Sequence, residues 1–439
     1  MLLPRPRLPI LCSLAVGAAL AAGTAARAEL GFVLTGIGPV NRGMGVAGVA
    51  APLDADGSLY WNPAAITGLG GSELDGGVEL VIPDENLSSR LAPGSLGHGF
   101  PPVGLAGRTH GDTNTVALPA MGLVYQPEGS DLTFGLGIYE VGGFTSNYPA
   151  SPTNPVLTAP PPRGIGLGPI YSQLQVFQIA PTIAAKLTDH LSVGVAPTID
   201  LTYLQADPLI IATPNAFGNY PAGTHTESSW GAGVQAGAFY TTEAGWNFGA
   251  SIKSPQWMQE FRFNATDLAG NPRSVKFHFD YPMIVSLGTA YTGIERWVFA
   301  VDVRYVNFHD TPGLSHSGFD ATGALRGLGW EDVFAVSVGA QYQLTDSLTV
   351  RLGYSYNDSP IDNSQAFFNV ASSTIINHSL AVGASYKVTQ ALILSMTYAH
   401  DFENTVSGPI VTPLGPIPVS SVKSQISADA VLVGATVKF

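Results

Sequence analysis

Alternation of large apolar residues with small or polar ones constrains this chain more than any other feature. Residues 333–343 carry large apolar side chains at every second position and small or polar ones between them. The same pattern occurs in 296–305, 347–356 and 379–387. Successive side chains of a β-strand point to opposite faces. Each segment therefore predicts a strand with one apolar face and one small, polar face.

The composition indicates where such strands could be stable. Only 12% of the residues are charged, about half of the usual share in soluble proteins, and the mean hydropathy is +0.21. After residue 28 there is no apolar run of about 18 residues, so no transmembrane helix is predicted. Strands in lipid satisfy all their backbone groups only when the sheet closes on itself. The sequence thus predicts an all-β fold, a transmembrane antiparallel β-barrel.

About fourteen segments have strand character, and tight turns alternate with long connections between them. An even strand number places both termini on the side of the short turns, which is the periplasmic side in outer-membrane barrels. The segments are 72–82, 114–125, 132–141, 173–187, 190–204, 227–241, 245–254, 274–292, 294–308, 331–343, 347–356, 375–388, 392–401 and 424–439. The long connections are 83–113, 142–172, 205–226, 255–273, 309–330, 357–374 and 402–421.

Residues 1–28 are typical of a secretory signal peptide. Arg5 and Arg7 precede an apolar stretch, and an Ala-Arg-Ala sequence at 26–28 predicts cleavage before Glu29. This segment contains the only cysteine, Cys12, so the mature chain would have no disulfide, thiolate nucleophile or Cys metal ligand. The formal charge of the whole chain is −13, and no Lys/Arg run offers a surface for nucleic acid.

The stretch 41–71 differs from the rest because it is rich in Gly and Ala and has no strand pattern. Small residues suit a segment that packs closely inside another structure. Its Asn62-Pro63-Ala64 sequence predicts a helix start, with Asn62 as the cap and Pro63 at the first helical position. Gly68, Gly70 and Gly71 would then end the helix.

Two motifs carry a resemblance to a known family. Arg-Gly-Met-Gly with Ala-Gly-Val-Ala, followed by Leu-Tyr-Trp-Asn-Pro-Ala-Ala, resembles the N-terminal hatch of the FadL family of outer-membrane channels for long-chain fatty acids and aromatic hydrocarbons. The resemblance implies a hatch over 29–71 inside a fourteen-stranded barrel over 72–439, with Asn62, Pro63 and Ala64 as hatch or gate residues. It also implies a location in the outer membrane of a Gram-negative bacterium, and we expect a monomer.

Two long loops are candidates for capturing a substrate. Loop 255–273 contains Trp257, Met258, Phe261 and Phe263, and loop 205–226 contains Phe217 and Tyr220. Apolar side chains in outer loops indicate either binding or packing of one loop on another. In the resembled family the corresponding loops form an apolar groove that captures substrate, and these residues inherit that role by position.

Two further sites follow from position in the chain. Gly142 and Gly143 come directly after the third predicted strand, where a kink opens the barrel wall towards the bilayer in the resembled family; glycines permit such a break. Terminal Phe439 after an alternating last strand resembles the signal read by the barrel-insertion machinery. The proline-rich loop 142–172 is either ordered or a flexible flap, and the sequence does not decide between them.

Catalytic and metal-binding patterns are absent from the sequence. There is no G-x-S-x-G or H-E-x-x-H motif, and His309-Asp310 and His400-Asp401 are strand neighbours that point to opposite faces. The segment 54–57 begins like a calcium loop but lacks its remaining ligands. We expect neither enzyme activity nor a metal or cofactor.

The predicted function is passive uptake of hydrophobic small molecules across the outer membrane, by loop capture, an interior pocket and lateral release. Partners would be outer-membrane lipid and lipopolysaccharide. A water-filled solute porin and a surface receptor or adhesin remain alternatives. Arg304 and Arg351 could hold a fatty acid, although an internal ion pair with an acid such as Asp302 is favoured. The sequence does not distinguish a fatty acid from an aromatic substrate.

Overall fold

The structure is a computed structural model that describes residues 30–97, 102, 104–266 and 271–439. The proposed signal peptide, 1–28, lies outside the described residues. In chain order the strands are β1 (Glu73–Leu91), β2 (Leu105–His110), β3 (Val116–Tyr125), β4 (Leu132–Tyr148), β5 (Ile170–Lys186), β6 (Leu191–Asp207), β7 (Gly223–Thr241), β8 (Trp246–Lys253), β9 (Trp257–Met258), β10 (Phe261–Thr266), β11 (Pro272–Phe277), β12 (Met283–Tyr291), β13 (Trp297–Asn307), β14 (Val333–Gln343), β15 (Leu348–Asn357), β16 (His378–Lys387), β17 (Leu392–Gly408), β18 (Val411–Thr412), β19 (Gly415–Pro416) and β20 (Ser420–Lys438).

Fourteen of these strands form a closed antiparallel barrel, which confirms the predicted fold class. Each barrel strand pairs with its neighbours in the chain, and β1 pairs with both β3 and β20 to close the sheet. The remaining strands, β2, β9, β10, β11, β18 and β19, lie in the long connections. Closure leaves the barrel sheet without free edges along most of its length.

The two faces of the barrel wall follow the predicted alternation. On β14, Phe334 and Val336 are exposed on the outside, whereas Ala335 and Ser337 are buried on the inside. The exposed set on other strands is equally apolar and includes Leu352 and Met396. This apolar exterior is the face that lipid contacts in an outer-membrane barrel.

Several predicted bounds were wrong. The predicted strand 274–292 spans two elements, because β11 pairs with β10 in a hairpin of the long connection and the barrel strand β12 begins only at Met283. The predicted loop 255–273 accordingly contains β9 and β10. Strand β1 continues to Leu91 and β4 to Tyr148, so parts of the predicted connections 83–113 and 142–172 are strand.

The N-terminal segment, residues 30–71, is buried almost throughout and contacts the inner face of the wall. It contains helices α1 (Gly38–Gly43) and α2 (Ala55–Trp61) and a 3₁₀ turn at Ala65–Gly68. Two more 3₁₀ turns, Pro155–Leu157 and Asn363–Gln365, lie in the long connections. Among the described residues, no helix has the length and apolar character needed to cross a membrane.

Candidate transport pathway

The N-terminal segment approaches the wall so closely that the wall has glycine where the two meet. A Cβ added to Gly353 would collide with the main chain at Gly45, and one on Gly339 would collide with the carbonyl of Met44. Elsewhere on the wall, on β8, a Cβ on Gly249 would meet the carbonyl of Val49. The small residues on the inner face therefore leave room for the main chain of the N-terminal segment. This explains why the inner face has so few large side chains.

A buried ion pair on β13 fixes the middle of the segment. The Arg304 guanidinium donates to Asp302 at 2.7 Å and to the carbonyl of Val46 at 2.6 Å. Asp302 also accepts from the main-chain N–H groups of Gly48 and Val49 at 2.7 and 3.0 Å. Both partners are fully buried. The favoured internal pairing of Arg304 with Asp302 is thus confirmed, and this arginine is committed to holding the segment.

The other candidate cation, Arg351, does not pair with Asp302. Its guanidinium donates to Gln341 at 2.7 Å and to the hydroxyl of Ser385 at 2.6 Å. These partners are barrel-wall groups on the inner face near the short turns. Arg351 lines a cavity there. The walls of this cavity are polar, unlike those of the two apolar cavities described below.

The helix predicted to start at Asn62 was misplaced. Helix α2 precedes this residue, and Asn62 is its C-terminal cap. The N-terminal cap of the helix is Asp54, whose carboxylate accepts from the N–H of Gly57 at 3.3 Å. After Asn62 comes only a turn and the short 3₁₀ segment that ends at Gly68. The calcium-like start at Asp54 is therefore a helix cap.

Asn62 nevertheless has a central place, because its side chain links the segment to the wall. Its amide donates to the carbonyl of Val49 at 2.9 Å and to that of Ala238 on β7 at 3.0 Å. Its side-chain oxygen accepts from the N–H of Ala64 at 3.1 Å. These bonds use both donors of the amide in one buried position, and Pro63 follows against the wall at Gly194.

Two apolar cavities lie above the N-terminal segment, towards the long connections. The outer chamber has a volume of about 880 Å³ and lies among the loops. The inner chamber, about 740 Å³, lies deeper, against the upper ends of β4, β5 and β6. Both volumes include space open to solvent. Aromatic lining residues are Tyr220, Phe319, Phe367 and Phe368 in the outer chamber and Phe144, Phe263, Phe277, Phe279 and Phe368 in the inner one.

The inner chamber offers a ligand almost no polar chemistry. Its lining has no charged side chain, and its only side-chain hydroxyls belong to Ser172 and Ser372. Ser172 donates to the carbonyl of Ala371, and Ser372 donates to the side chain of Asn369 at 3.2 Å. Both hydroxyl protons are therefore already used within the protein. Such a wall recognises its ligand by apolar contact alone.

The predicted capture residues divide into two groups. Phe263 lines the inner chamber and Tyr220 the outer one, where its hydroxyl donates to the carbonyl of Gly323 at 2.8 Å. Burial raises the pKa of Tyr220 to about 12, so this hydroxyl is neutral at physiological pH. Phe261 and Met258 are buried but line neither chamber, whereas Trp257 and Phe217 are about 60% exposed and point away from both.

Sequence reasoning missed most of the chamber residues. Phe277 and Phe279 are two residues apart, and so are Phe261 and Phe263. Phe277 ends β11 and pairs with Phe261 on β10, the other strand of the hairpin. That repeated aromatic alternation could have indicated a two-stranded element with one aromatic face. The adjacent pair Phe367 and Phe368 lies in a connection otherwise rich in polar residues, which is a weaker signal.

Phe32 of the N-terminal segment packs against the lining of the inner chamber. Its ring lies 5.2 Å from that of Phe279, which lines the chamber, and 5.5 Å from that of Tyr281. Phe308 and Trp330 complete the cluster at 5.8 and 5.9 Å. Ring centroids at these separations are in contact. Phe32 thus belongs to an aromatic cluster directly behind the chamber wall at Phe279.

Next to Phe32 the barrel wall is incomplete. Pairing of β3 with β4 stops at Ala120 and Tyr139, one residue after Pro119, which has no N–H to donate. Beyond this point β4 continues along β5 with a register shift between Glu140 and Gly142. Gly142 and Gly143 thus lie inside a strand, after a bulge, and do not follow its end as predicted.

The N-terminal segment occupies the open edge of β4. The N–H of Gly143 donates to the carbonyl of Phe32 at 2.7 Å, and the N–H of Leu34 donates to the carbonyl of Val141 at 2.9 Å. A small cavity of about 270 Å³ lies beside this contact, lined by residues of β1, β3 and β20 together with Leu34 and Ile37. Phe32 therefore contacts both a lining residue of the inner chamber, Phe279, and the open edge of β4.

No three His, Cys, Asp or Glu side chains are grouped to hold a metal ion within the part of the chain that the structure describes. The His309 imidazole lies 3.6 Å from the carboxylate of Glu331 on the exposed rim.

A closed antiparallel barrel with an apolar outer belt, short turns at one end and long connections at the other defines an outer-membrane protein. The chain belongs to the family of outer membrane protein transport proteins (OMPP1/FadL/TodX), whose model matches residues 18–439. This confirms the resemblance and the location in the Gram-negative outer membrane. The family consists of transport channels.

Solved structures share the fold over nearly the whole chain. A FadL homologue of Pseudomonas aeruginosa is 18% identical with a TM-score of 0.70, covering 93% of this chain and 100% of that one. The toluene transporter TbuX of Ralstonia pickettii is 18% identical with a TM-score of 0.67, covering 92% and 99%. The toluene transporter TodX of Pseudomonas putida is 16% identical with a TM-score of 0.65, covering 93% and 100%. No curated protein matches the chain.

Proposed function

We propose that this barrel is a passive channel for small, uncharged hydrophobic molecules. A molecule enters the outer chamber, moves to the inner chamber, passes Phe32 and leaves through the interrupted wall beside Gly142 and Gly143. The observation that carries the proposal is the inner chamber, whose lining has no charge and whose hydroxyl protons are satisfied internally. Apolar burial of about 0.8 kcal/mol per CH₂ supplies the affinity.

The same observation favours a hydrocarbon over a fatty acid. A carboxylate moved into an apolar site without a counter-charge carries a large desolvation cost. Arg304, one of the two arginines that the sequence offers for holding a fatty acid, is already bound to Asp302 and to the N-terminal segment. Two of the similar structures are toluene transporters, which supports a monoaromatic substrate.

In this proposal the N-terminal segment acts as a hatch. Arg304 and Asn62 fasten its centre, with Pro63 and Ala64 held between the wall and the 3₁₀ turn. The part that moves is the stretch around Phe32 and Leu34, which is attached to β4 by main-chain bonds. The hatch would keep water and ions from following the substrate.

Uptake by cells that lack their own transporter tests the proposal. We expect labelled toluene to enter with the native chain and labelled oleate to enter poorly. Ala371→Asp places a carboxylate in the inner chamber and should abolish toluene uptake. Phe217→Asp is the matched control, because Phe217 is exposed and lines neither chamber, and it should leave uptake unchanged. No toluene uptake together with steady ion conductance in planar bilayers would favour a porin.

Other roles are inferred from the family and the sequence. Cleavage before Glu29 would release the mature chain, and Phe439, whose ring is exposed at the barrel end, would be read by the insertion machinery. The apolar exterior would contact lipid and the outer rim lipopolysaccharide, with the barrel as a monomer. We propose no enzymatic step and no cofactor for this route.

A further inference from the structure

The outer and inner chambers are separated by very few side chains. Their linings share only Ile210, Leu325 and Phe368. These residues come from three different connections between barrel strands. Any molecule that moves from one chamber to the other must therefore pass between them.

Two of the three are held firmly in place. The N–H of Leu325 donates to the carbonyl of Ile210 at 2.9 Å, which joins their two loops through the main chain. The same loops are tied again by the hydroxyls of Thr213 and Thr322, which lie 2.9 Å apart. Ile210 and Leu325 thus form a fixed side of the passage.

Phe368 forms the opposite side and is held differently. Its main chain is fixed, because its N–H donates to the carbonyl of Gln365 at 3.1 Å and the neighbouring Asn369 accepts from the Trp330 indole at 2.7 Å. Its ring makes only edge contacts with other rings, at 5.6 Å to Phe319 and 6.0 Å to Phe367. Aromatic edge contacts are worth about 0.5–1.5 kcal/mol, so the ring can turn on a fixed backbone.

We propose that Phe368 is the gate between the two chambers and the residue that sets the largest substrate able to pass. This inference rests on the proposed function. With its ring in the observed position, the passage against Ile210 and Leu325 is closed. A rotation about χ1 opens it by the width of a ring, and this width limits the cross-section of the passing molecule. Phe368 is thus a specificity-determining residue that acts by size.

The neighbouring aromatic residue supplies a matched control. Phe367 lines only the outer chamber. Phe367→Ala removes the same number of atoms as Phe368→Ala one residue away, in the same connection, while the Phe368 ring and its contact with Phe319 stay. An effect confined to Phe368 would therefore reflect the gate and not a general loosening of the loop.

The experiment measures uptake of toluene and naphthalene by cells carrying each variant, as the ratio of the two rates. The ratio is independent of how much protein reaches the membrane. We expect Phe368→Ala to raise the naphthalene-to-toluene ratio by about tenfold, Phe368→Trp to lower it, and Phe367→Ala to change it much less than Phe368→Ala does. Phe368→Leu, a smaller change to the core, should give an intermediate increase.

Three results would overturn the gate. Equal ratios in the native chain, Phe368→Leu and Phe368→Trp would show that the ring does not limit passage, while toluene uptake would still support the proposed function. An equal rise in Phe367→Ala would assign the effect to the loop as a whole. Absence of toluene uptake by the native chain would remove the proposed function and the gate with it.

Discussion

The two halves of the barrel interior are filled by different chemistry. In one half, the N-terminal segment is attached to the wall by buried polar contacts, above all those of Arg304, Asp302 and Asn62. Near the long connections, loops meet through aromatic and aliphatic side chains that leave two apolar chambers between them.

The difference indicates how one barrel would exclude water and still admit hydrophobic molecules, as proposed above. Buried polar contacts have strict geometry and a high cost of disruption, so they suit a permanent seal. Apolar contacts have no direction, so side chains can rearrange around a passing molecule. Changes to the polar half should therefore reduce stability and increase leakage, whereas changes to the apolar half should alter which molecules pass.

The largest effect is expected from removing one member of the buried ion pair. Arg304→Ala leaves Asp302 buried without its counter-charge and should lower the free energy of unfolding by about 3–5 kcal/mol. Urea unfolding in lipid vesicles, followed by tryptophan fluorescence, measures this change, and ion conductance should rise as the segment loosens. The double variant Asp302→Ala/Arg304→Ala should be less affected. A single variant as stable as the double one would contradict the role given to the pair.

A smaller but still large effect should come from filling the closest approach of segment and wall. Gly353→Ala directs a methyl group into the main chain at Gly45, and overpacking against backbone should cost about 3 kcal/mol. Gly76→Ala is the control, since an added Cβ there has no atom within 4 Å. The urea midpoints of the two variants give the comparison. Equal midpoints would mean that the segment shifts without cost.

Loss of the Asn62 side chain should cost less, about 2 kcal/mol, because the carbonyl of Val49 is left without its side-chain donor in a buried position. The same unfolding measurement applies to Asn62→Ala. Asn264→Ala removes an amide from an exposed site and should change stability by less than about 0.5 kcal/mol. If both variants unfold at the same urea concentration, Asn62 does not fasten the segment.

The sequence predicted the barrel wall well because its constraint is local. Lipid outside and a filled lumen inside impose a period of two on every strand, which is why 331–343 predicted β14 to within two residues. The FadL-like motif likewise marked the segment that fills the lumen. The alternating apolar residues needed no knowledge of their partners.

The errors arose where distant residues decide the structure. Gly142 and Gly143 have low strand propensity, yet β4 continues through them because β5 pairs on one side and the main chain of Phe32 on the other. Asn62 has the form of a helix cap, but a partner on β7, Ala238, helps to hold it. The proposed gate, Phe368, could not be recognised, since the two chambers that it lines are made by loops far apart in sequence.

The smallest expected effect concerns pH and the polar half. Burial, and then the charge of Asp75, raise the pKa of Asp56 in helix α2 well above its ordinary value. A carboxyl with a higher pKa in the folded protein than in the unfolded chain binds its proton more tightly when folded. Its contribution to stability is therefore present in acid and is lost as the pH rises from about 4 through the raised pKa.

Asp56→Asn should remove this dependence, because an amide is uncharged at every pH. We expect the free energy of unfolding of the variant to exceed that of the native protein by more at pH 8 than at pH 5. Urea unfolding at both pH values measures the difference. Asp346→Asn, at a side chain that is 95% exposed, should leave the native pH dependence in place. If Asp56→Asn keeps the native pH dependence, then Asp75 or a neighbouring carboxyl, and not Asp56, is the group whose proton affinity changes on folding.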